Sequence, residues 1–332
     1  MGEDSDINDR TRVSPLWQHD GAARGPATLS ASIDATAASH GGAPFAPPAR
    51  APAHGLHIDR FQIVRTLGAG GMGVVYAAYD PELDREVAVK LIRGNDSEAA
   101  RTRLHREAQA LAKLSHPNVV AVHDVGTHEG QIWVSMEFVA GRTLGAWLEQ
   151  ERPGWRQVLS VIKQVARGLA AAHAEGLLHR DIKPDNIMVG DDGRVRVMDF
   201  GLARADAERG AEQSFASGHS ALSIELTAVG AIMGTPAYMA PEQFMGQVAD
   251  ERTDEFSLAV TLWEAVYGRR PFVGDSFDAL RVAVTGGQRA PAPSDRKVPG
   301  WLKRVIERAL EVTRNKRFES VRVMLEVIEF SE

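Results

Sequence analysis

The chain has 332 residues, 44% of them hydrophobic, with 38 Lys and Arg against 44 Asp and Glu and a formal net charge of -6. That length suffices for a sizeable core and roughly two domains, and the mildly acidic, mixed-sign balance argues against a dedicated binder of nucleic acid or anionic membranes. There is no cysteine, which excludes disulfides, thiolate nucleophiles and Cys-ligated zinc.

The polar start Met1 to Arg12 leads into no apolar signal-peptide core, and Asp6 stands where N-myristoylation wants Ser or Thr. No run reaches the roughly 18 uninterrupted apolar residues that span a bilayer. The best, Phe256 to Val266, is broken by Glu264. These features fit a cytoplasmic protein without a membrane span. Residues 1–57 hold 12 Ala, 6 Pro, 6 Gly and 5 Ser and no sustained apolar period. Such a composition cannot offset its ordering entropy, so a disordered tail is expected there.

From Ile58 the pattern changes. Phe61 to Val64, Val74 to Tyr76 and Val87 to Val89 are short β-prone runs. A helix is predicted over 97–114, with Leu104, Ala108, Leu111 and Leu114 along one side. Two further strands are predicted around 119–125 and 132–138. Beyond Gly141, helical spacing dominates, as in Val158, Val161, Ile162, Val165 and Leu169, and again in Leu302, Val305, Ile306, Ala309 and Leu310. The expected fold is α+β and bilobal: a small β-rich lobe over about 58–138 and a larger helical lobe over about 141–332.

Four blocks carry chemistry. Gly68-Ala69-Gly70-Gly71-Met72-Gly73 is followed by the β-prone Val74 to Tyr79. A dinucleotide-binding glycine loop should open a helix instead, and a P-loop needs a terminal Gly-Lys-Ser/Thr. A plain hairpin and a phosphate-covering loop between strands both remain. Lys90 lies seventeen residues past Gly73, either as a strand-edge lysine or as a phosphate-binding lysine held by a helix carboxylate, for which Glu107 is the candidate. His179-Arg180-Asp181-Ile182-Lys183-Pro184-Asp185-Asn186 matches the pattern in which an Asp takes a hydroxyl proton and an Asn offers oxygen to Mg²⁺. Asp199-Phe200-Gly201 follows thirteen residues after Asn186, with Asp199 as the main Mg²⁺ ligand, and Ala240-Pro241-Glu242 closes the segment beyond it.

In this order the blocks resemble eukaryotic-type (Hanks-type) serine/threonine protein kinases of the bacterial branch, from about Ile58 onward. The phrases Gly70 to Tyr76 and Gly234 to Gln243 are typical of that branch. The resemblance implies an enzyme that uses ATP and Mg²⁺ to phosphorylate protein Ser or Thr hydroxyls, with a transient homodimer for autophosphorylation. It implies catalytic roles for Asp181, Lys183, Lys90, Glu107 and Thr235, the last as the partner of Lys183. It assigns Leu67, Gly68, Gly70, Gly73, Val75, Ala88, Lys90, Met136, Glu137, Val139, Asn186 and Asp199 to nucleotide binding, with Met136 as gatekeeper and Glu137 and Val139 at the hinge. Asn186 and Asp199 become the metal ligands. Asp254 matches a buried aspartate that anchors the catalytic loop, and Arg317 an arginine that pairs with Glu242, although Val312 to Phe318 and Leu258-Ala259-Val260 depart from the usual surroundings. A pseudokinase would have lost Lys90, Asp181, Asn186 or Asp199, and none is lost. Between Gly201 and Gly234 lie 32 residues with Ser214, Ser217, Ser220, Ser223 and Thr227. Phosphorylation there, at Thr227 first, would engage Arg103, Arg180 and Arg204. The chain stops at Glu332, which leaves both a complete small kinase and a piece of a longer one open.

Overall fold

The structure is a computed structural model that describes residues 55–70, 73–92, 102, 108–200 and 235–332. Nearly all of the expected tail, the Gly71-Met72 turn, Arg103, Glu107 and the segment 201–234 with Thr227 and Arg204 lie outside the described residues.

A six-stranded antiparallel sheet forms the first part, in the order β1-β2-β3-β4-β6-β5. Its strands are β1 His57–Ile58, β2 Phe61–Gly70, β3 Gly73–Asp80, β4 Arg85–Ile92, β5 Val122–His128 and β6 Gln131–Glu137. Strand alternation gives the sheet two faces. Phe61, Val87, Val89 and Trp133 pack together on one, with Phe61 edge-on to Trp133 at 5.0 Å. Ala88, Ile92, Val134 and Met136 lie on the other, in one core with the helical part. Arg60 bridges the two edges of the curled sheet: it stands beside the β1–β2 edge and donates to Asp124 of β5 at 2.9 Å. The predicted helix is seen over 108–113, here α1.

The helical part begins with the short strand β7 Gly141–Thr143, then α2 Leu144–Glu151 and α3 Trp155–Ala174. β7 pairs with the hairpin β8 Ile187–Gly190 and β9 Val195–Val197. Gly168 of α3 is needed for this packing, because a Cβ there would sit 2.5 Å from the Asn118 carbonyl. Asn118 in turn donates to Val195 O at 2.8 Å. Farther on come α4 Pro241–Phe244, α5 Glu251–Tyr267, α6 Phe277–Thr285, α7 Gly300–Ala309 and α8 Val321–Ser331.

Helix α5 is the axis of this part. Asp250 caps its N-terminus by accepting from Arg252 N at 3.0 Å, and Gly268 ends it at φ +73°. It is buried on nearly every side, as expected of a helix at the centre of a lobe. Glu255 is fully buried there. Its Oε1 accepts from Phe318 N at 3.0 Å, while Oε2 has no hydrogen-bond partner. Burial therefore pushes the carboxyl up to about 8, against the pull of Phe318 N and nearby arginines. A carboxyl whose folded pKa is raised holds its proton more tightly when folded, so stability falls as pH rises from the ordinary value of 4.5 through about 8. Glu255→Gln stays neutral and should escape this loss. Urea unfolding should give similar stabilities for variant and wild type near pH 5 and an advantage for the variant that grows to about pH 8, by at most about 1.4 kcal/mol per pH unit, and levels off above it. Parallel curves would show that Glu255 does not titrate in this range.

Candidate active site

The predicted site residues arrive from two sides. Lys90 on β4 is 5% exposed. Directly opposite partners share a sheet face, so the pairings Val75↔Lys90 and Ala88↔Met136 place Val75, Ala88, Lys90 and Met136 on the face toward the helical part. Leu67 and Gly68 lie on β2, and Gly70 pairs with Gly73 at the hairpin end. Gly68 and Gly70 have open space where a Cβ would be. Gly73 differs: at φ +146°, its Cβ would collide with Leu91 O at 2.1 Å. That glycine is demanded by strand packing. Glu137 ends β6, and Val139 packs at the edge of the core.

From the other side come two loops. Lys183 Nζ lies 2.8 Å from Asp181 Oδ2. Asn186 Nδ2 donates to Asp181 O at 2.8 Å and to Asp181 Oδ2 at 3.1 Å. The short 3₁₀ turn Pro184–Asn186 sets this spacing, with Pro184 fixing its first residue. Met198 N donates to Asn186 O at 3.0 Å, tying this loop to the next. Asp199 then faces Lys90, with Nζ to Oδ1 at 2.8 Å. A small apolar recess behind this pair is lined by Leu111, Val120, Val122, Met136, Val197 and Phe200. Thr235 opens the turn Thr235–Tyr238, and its side chain lies outside the described residues.

Strain marks both loops. Arg180 and Asp199 have φ +66° and +62°, the left-handed region that non-glycine residues avoid. Arg180 is held there on both flanks: its N–H donates to Asp254 Oδ1 at 2.6 Å and its carbonyl accepts from Gln243 Nε2 at 3.0 Å. Asp254 Oδ2 accepts from His179 N and meets His173 Nε2, both at 2.8 Å. Burial pushes the Asp254 carboxyl up, but these partners outweigh it and hold it below its ordinary value. His179 Nε2 meets Met198 O at 2.8 Å, and its ring packs on Phe200 at 4.7 Å. His173 carries no motif of its own in the chain; its only sequence signal is a position near the end of α3, six residues before His179. Glu242 and Arg317 also meet as expected, through two parallel bonds of 2.9 Å.

Residues 61–327 match the model of the family described as protein kinase domain. Serine/threonine-protein kinase PknD of Mycobacterium tuberculosis is 37% identical over 275 residues, which cover 81% of this chain and 39% of that protein. Serine/threonine-protein kinase PrkC of Bacillus subtilis is 35% identical over 273 residues, covering 80% and 39%. The chain thus spans about two fifths of the length of these relatives. The crystal structure of the Mycobacterium tuberculosis PknI kinase domain superimposes with a TM-score of 0.64 at 28% identity, over 85% of this chain and 100% of that one.

Asp254 satisfies three donors with one charge, and Asn can present only one oxygen to them. Asp254→Asn should therefore lower the unfolding free energy by about 2–4 kcal/mol, measured by urea unfolding at pH 7. A group with a lowered folded pKa contributes its stability above the unfolded value, here 3.8, and loses it only as pH falls through the folded one. The wild-type contribution should accordingly be complete at pH 7 and vanish only in acid. An unchanged midpoint for the variant would remove Asp254 as the anchor.

Proposed function

The chain belongs to the protein kinase family, and we propose that it is a serine/threonine kinase that moves the γ-phosphoryl group of ATP to Ser or Thr hydroxyls of proteins. One observation carries this reading. Two lysine–carboxylate pairs, Lys183–Asp181 and Lys90–Asp199, each at 2.8 Å, are joined through Asn186.

Each group has a distinct task. Asp181 takes the proton of the incoming hydroxyl as its oxygen attacks phosphorus. Lys183 balances the negative charge on the transferring group. Lys90 binds the α- and β-phosphates, and Glu107 is its partner on the helix side. Leu67, Val75 and Ala88 enclose the adenine beside Met136. The carbonyl of Glu137 and the backbone of Val139 bind its edge; Glu137 N is committed to Ala121 O at 2.8 Å. The glycine turn with Gly68, Gly70 and Gly73 covers the phosphates.

The donor set suits Mg²⁺. Asp199 offers a carboxylate, and because Asn186 Nδ2 is spent on Asp181, its amide oxygen is the group left for a cation. Among the described residues no cluster of three or more His, Cys, Asp or Glu could cage a metal. The Asp199 carboxylate and the Asn186 amide oxygen are the groups that would hold the ion. When held by these two residues, Mg²⁺ would supply neutralisation of charge on the phosphoryl oxygens.

The kinase domain of this reading occupies about 58–332. It works in the cytoplasm on protein substrates, with a transient homodimer for autophosphorylation on the segment that holds Thr227. No helix among the described residues is long and apolar enough to cross a membrane. Asp181→Asn tests the chemistry. Phosphate transfer to a generic basic protein should fall about 10²–10⁴-fold, while displacement of a fluorescent ATP analogue by MgATP stays within about twofold of wild type. Near-normal transfer by this variant would sink the assignment.

A further inference from the structure

The segment 137–141 links the two lobes, and one hairpin of the helical part reaches both of its ends. This is the β8–β9 hairpin, residues 187–197. At the near end, Arg196 Nε lies 2.8 Å from Glu137 Oε1. At the far end, Asp191 N donates to Ala140 O at 2.9 Å, and Gly141 pairs with Gly190.

Arg196 is only 4% exposed, and its remaining nitrogens are spent on the turn itself. Nη1 reaches Asp192 Oδ1 at 3.1 Å and Nη2 reaches Oδ2 at 2.9 Å. Asp192 also accepts from Arg194 N at 3.0 Å and Arg194 Nε at 2.8 Å. Arg196 first, and Arg194 with it, holds the Asp192 carboxyl far below the usual range despite desolvation. Even Gly190 is shaped to this cluster, since a Cβ there would lie 2.5 Å from Asp192 Oδ1 and 2.9 Å from Arg196 Nη1.

A buried guanidinium is costly unless its donors are filled. An apolar residue could occupy this strand position without that cost. What the arginine adds is direction: its planar fork fixes two carboxylates relative to one another. One belongs to the turn and the other to the residue whose backbone carbonyl faces the adenine. We propose that Arg196, seated on Asp192, is a positioning residue for ATP, which holds Glu137 and hence the adenine-binding backbone in register with the helical lobe. The proposal rests on the kinase reading above and extends it to residues outside every recognisable motif.

The test uses the full chain with Arg196→Met, Arg196→Lys and Glu137→Gln. Three quantities are read: MgATP affinity by displacement of a fluorescent ATP analogue, the split between ATP KM and kcat, and hydrogen exchange at the Asp191 amide. Arg196→Met should raise both Kd and ATP KM about tenfold, lower kcat at saturating ATP by less than about threefold, and speed exchange at Asp191. Arg196→Lys, which can satisfy one carboxylate at a time, should fall between Met and wild type. Glu137→Gln combined with Arg196→Met should be little worse than the Met variant alone, because both break one contact. A folded Arg196→Met protein with wild-type MgATP affinity overturns the proposal. If that variant does not fold, unchanged ATP KM in Glu137→Gln overturns it instead. A wild-type protein that binds no MgATP overturns the kinase reading, and the positioning role with it.

Discussion

The geometry of the catalytic loop hangs on one carboxylate that sees no solvent. Asp254 is fully buried on the central helix of the helical part, where an ionised group is tolerable only if its lone pairs are filled. The donors that fill them are His179 N, Arg180 N and His173 Nε2. Two of the three are backbone groups of the catalytic loop, so satisfying the charge and shaping the loop are one event. The left-handed Arg180 is pinned between this bond on its N–H and the one its carbonyl accepts from Gln243 Nε2. Asp181, one residue on, is aimed by the same turn.

Around this anchor the helical part uses buried charge repeatedly, and in each case the neighbours decide what the charge does. Glu242 and Arg317 form a bidentate pair in which the arginine also donates to the carbonyls of Arg252, Glu311 and Val312. Thr253 adds a bond to Glu242 at 2.9 Å. That network knits α4, α5 and the turn before α8 and leaves little unsatisfied. Burial pushes Glu242 up, yet Arg317 outweighs it and keeps the carboxyl below its ordinary value. Glu255 stands beside Asp254 with one bond and no cation on its second oxygen, and burial prevails. Adjacent residues on one helix thus take opposite protonation behaviour from their partners alone.

How much of this was legible in the sequence depends on whether the signal is contiguous. The loop His179 to Asn186 and Asp199-Phe200-Gly201 are short contiguous strings, whereas the glycine block alone left a plain hairpin open, and the structure brings Asp181, Lys183, Asn186, Asp199 and Lys90 together. The strands were legible within a few residues: the run expected at 119–125 begins at Val122, because Val119 and Val120 are drawn into pairing with Val197 instead. Gly73 was legible as a glycine but not for its full reason, since the clash with Leu91 O arises across strands. Arg196 gave no signal at all. A basic residue within Val195-Arg196-Val197 reads as the exposed member of an alternating strand, and only the fold brings Glu137 and Asp192 to it. The Lys90–Glu107 pairing and the Thr227 segment fall on residues outside those described.

The three-residue strand β9 is the common rail of the site. Val195 N donates to Gln164 Oε1 and Val195 O accepts from Asn118 Nδ2, while Val197 N donates to Asn118 O and Val197 O accepts from Val120 N, just before β5. Between them, Arg196 points the other way and takes Glu137. Met198 immediately follows, its N–H bound to the Asn186 carbonyl and its carbonyl to His179. Asp199 is the next residue and meets Lys90. Strand alternation explains how so short a segment reaches so many places: even and odd residues address opposite sides, and the backbone edges address a third and fourth. Lys90 of one lobe can face the Asp199 carboxylate of the other at 2.8 Å because both lobes are referred to this strand. A shift of β9 by one residue would exchange Val197 for Arg196 in the core and withdraw the hinge contact in the same step. The register of β9 is therefore the geometric condition on which the pairing of Lys90 with Asp199 and the placement of the hinge jointly depend.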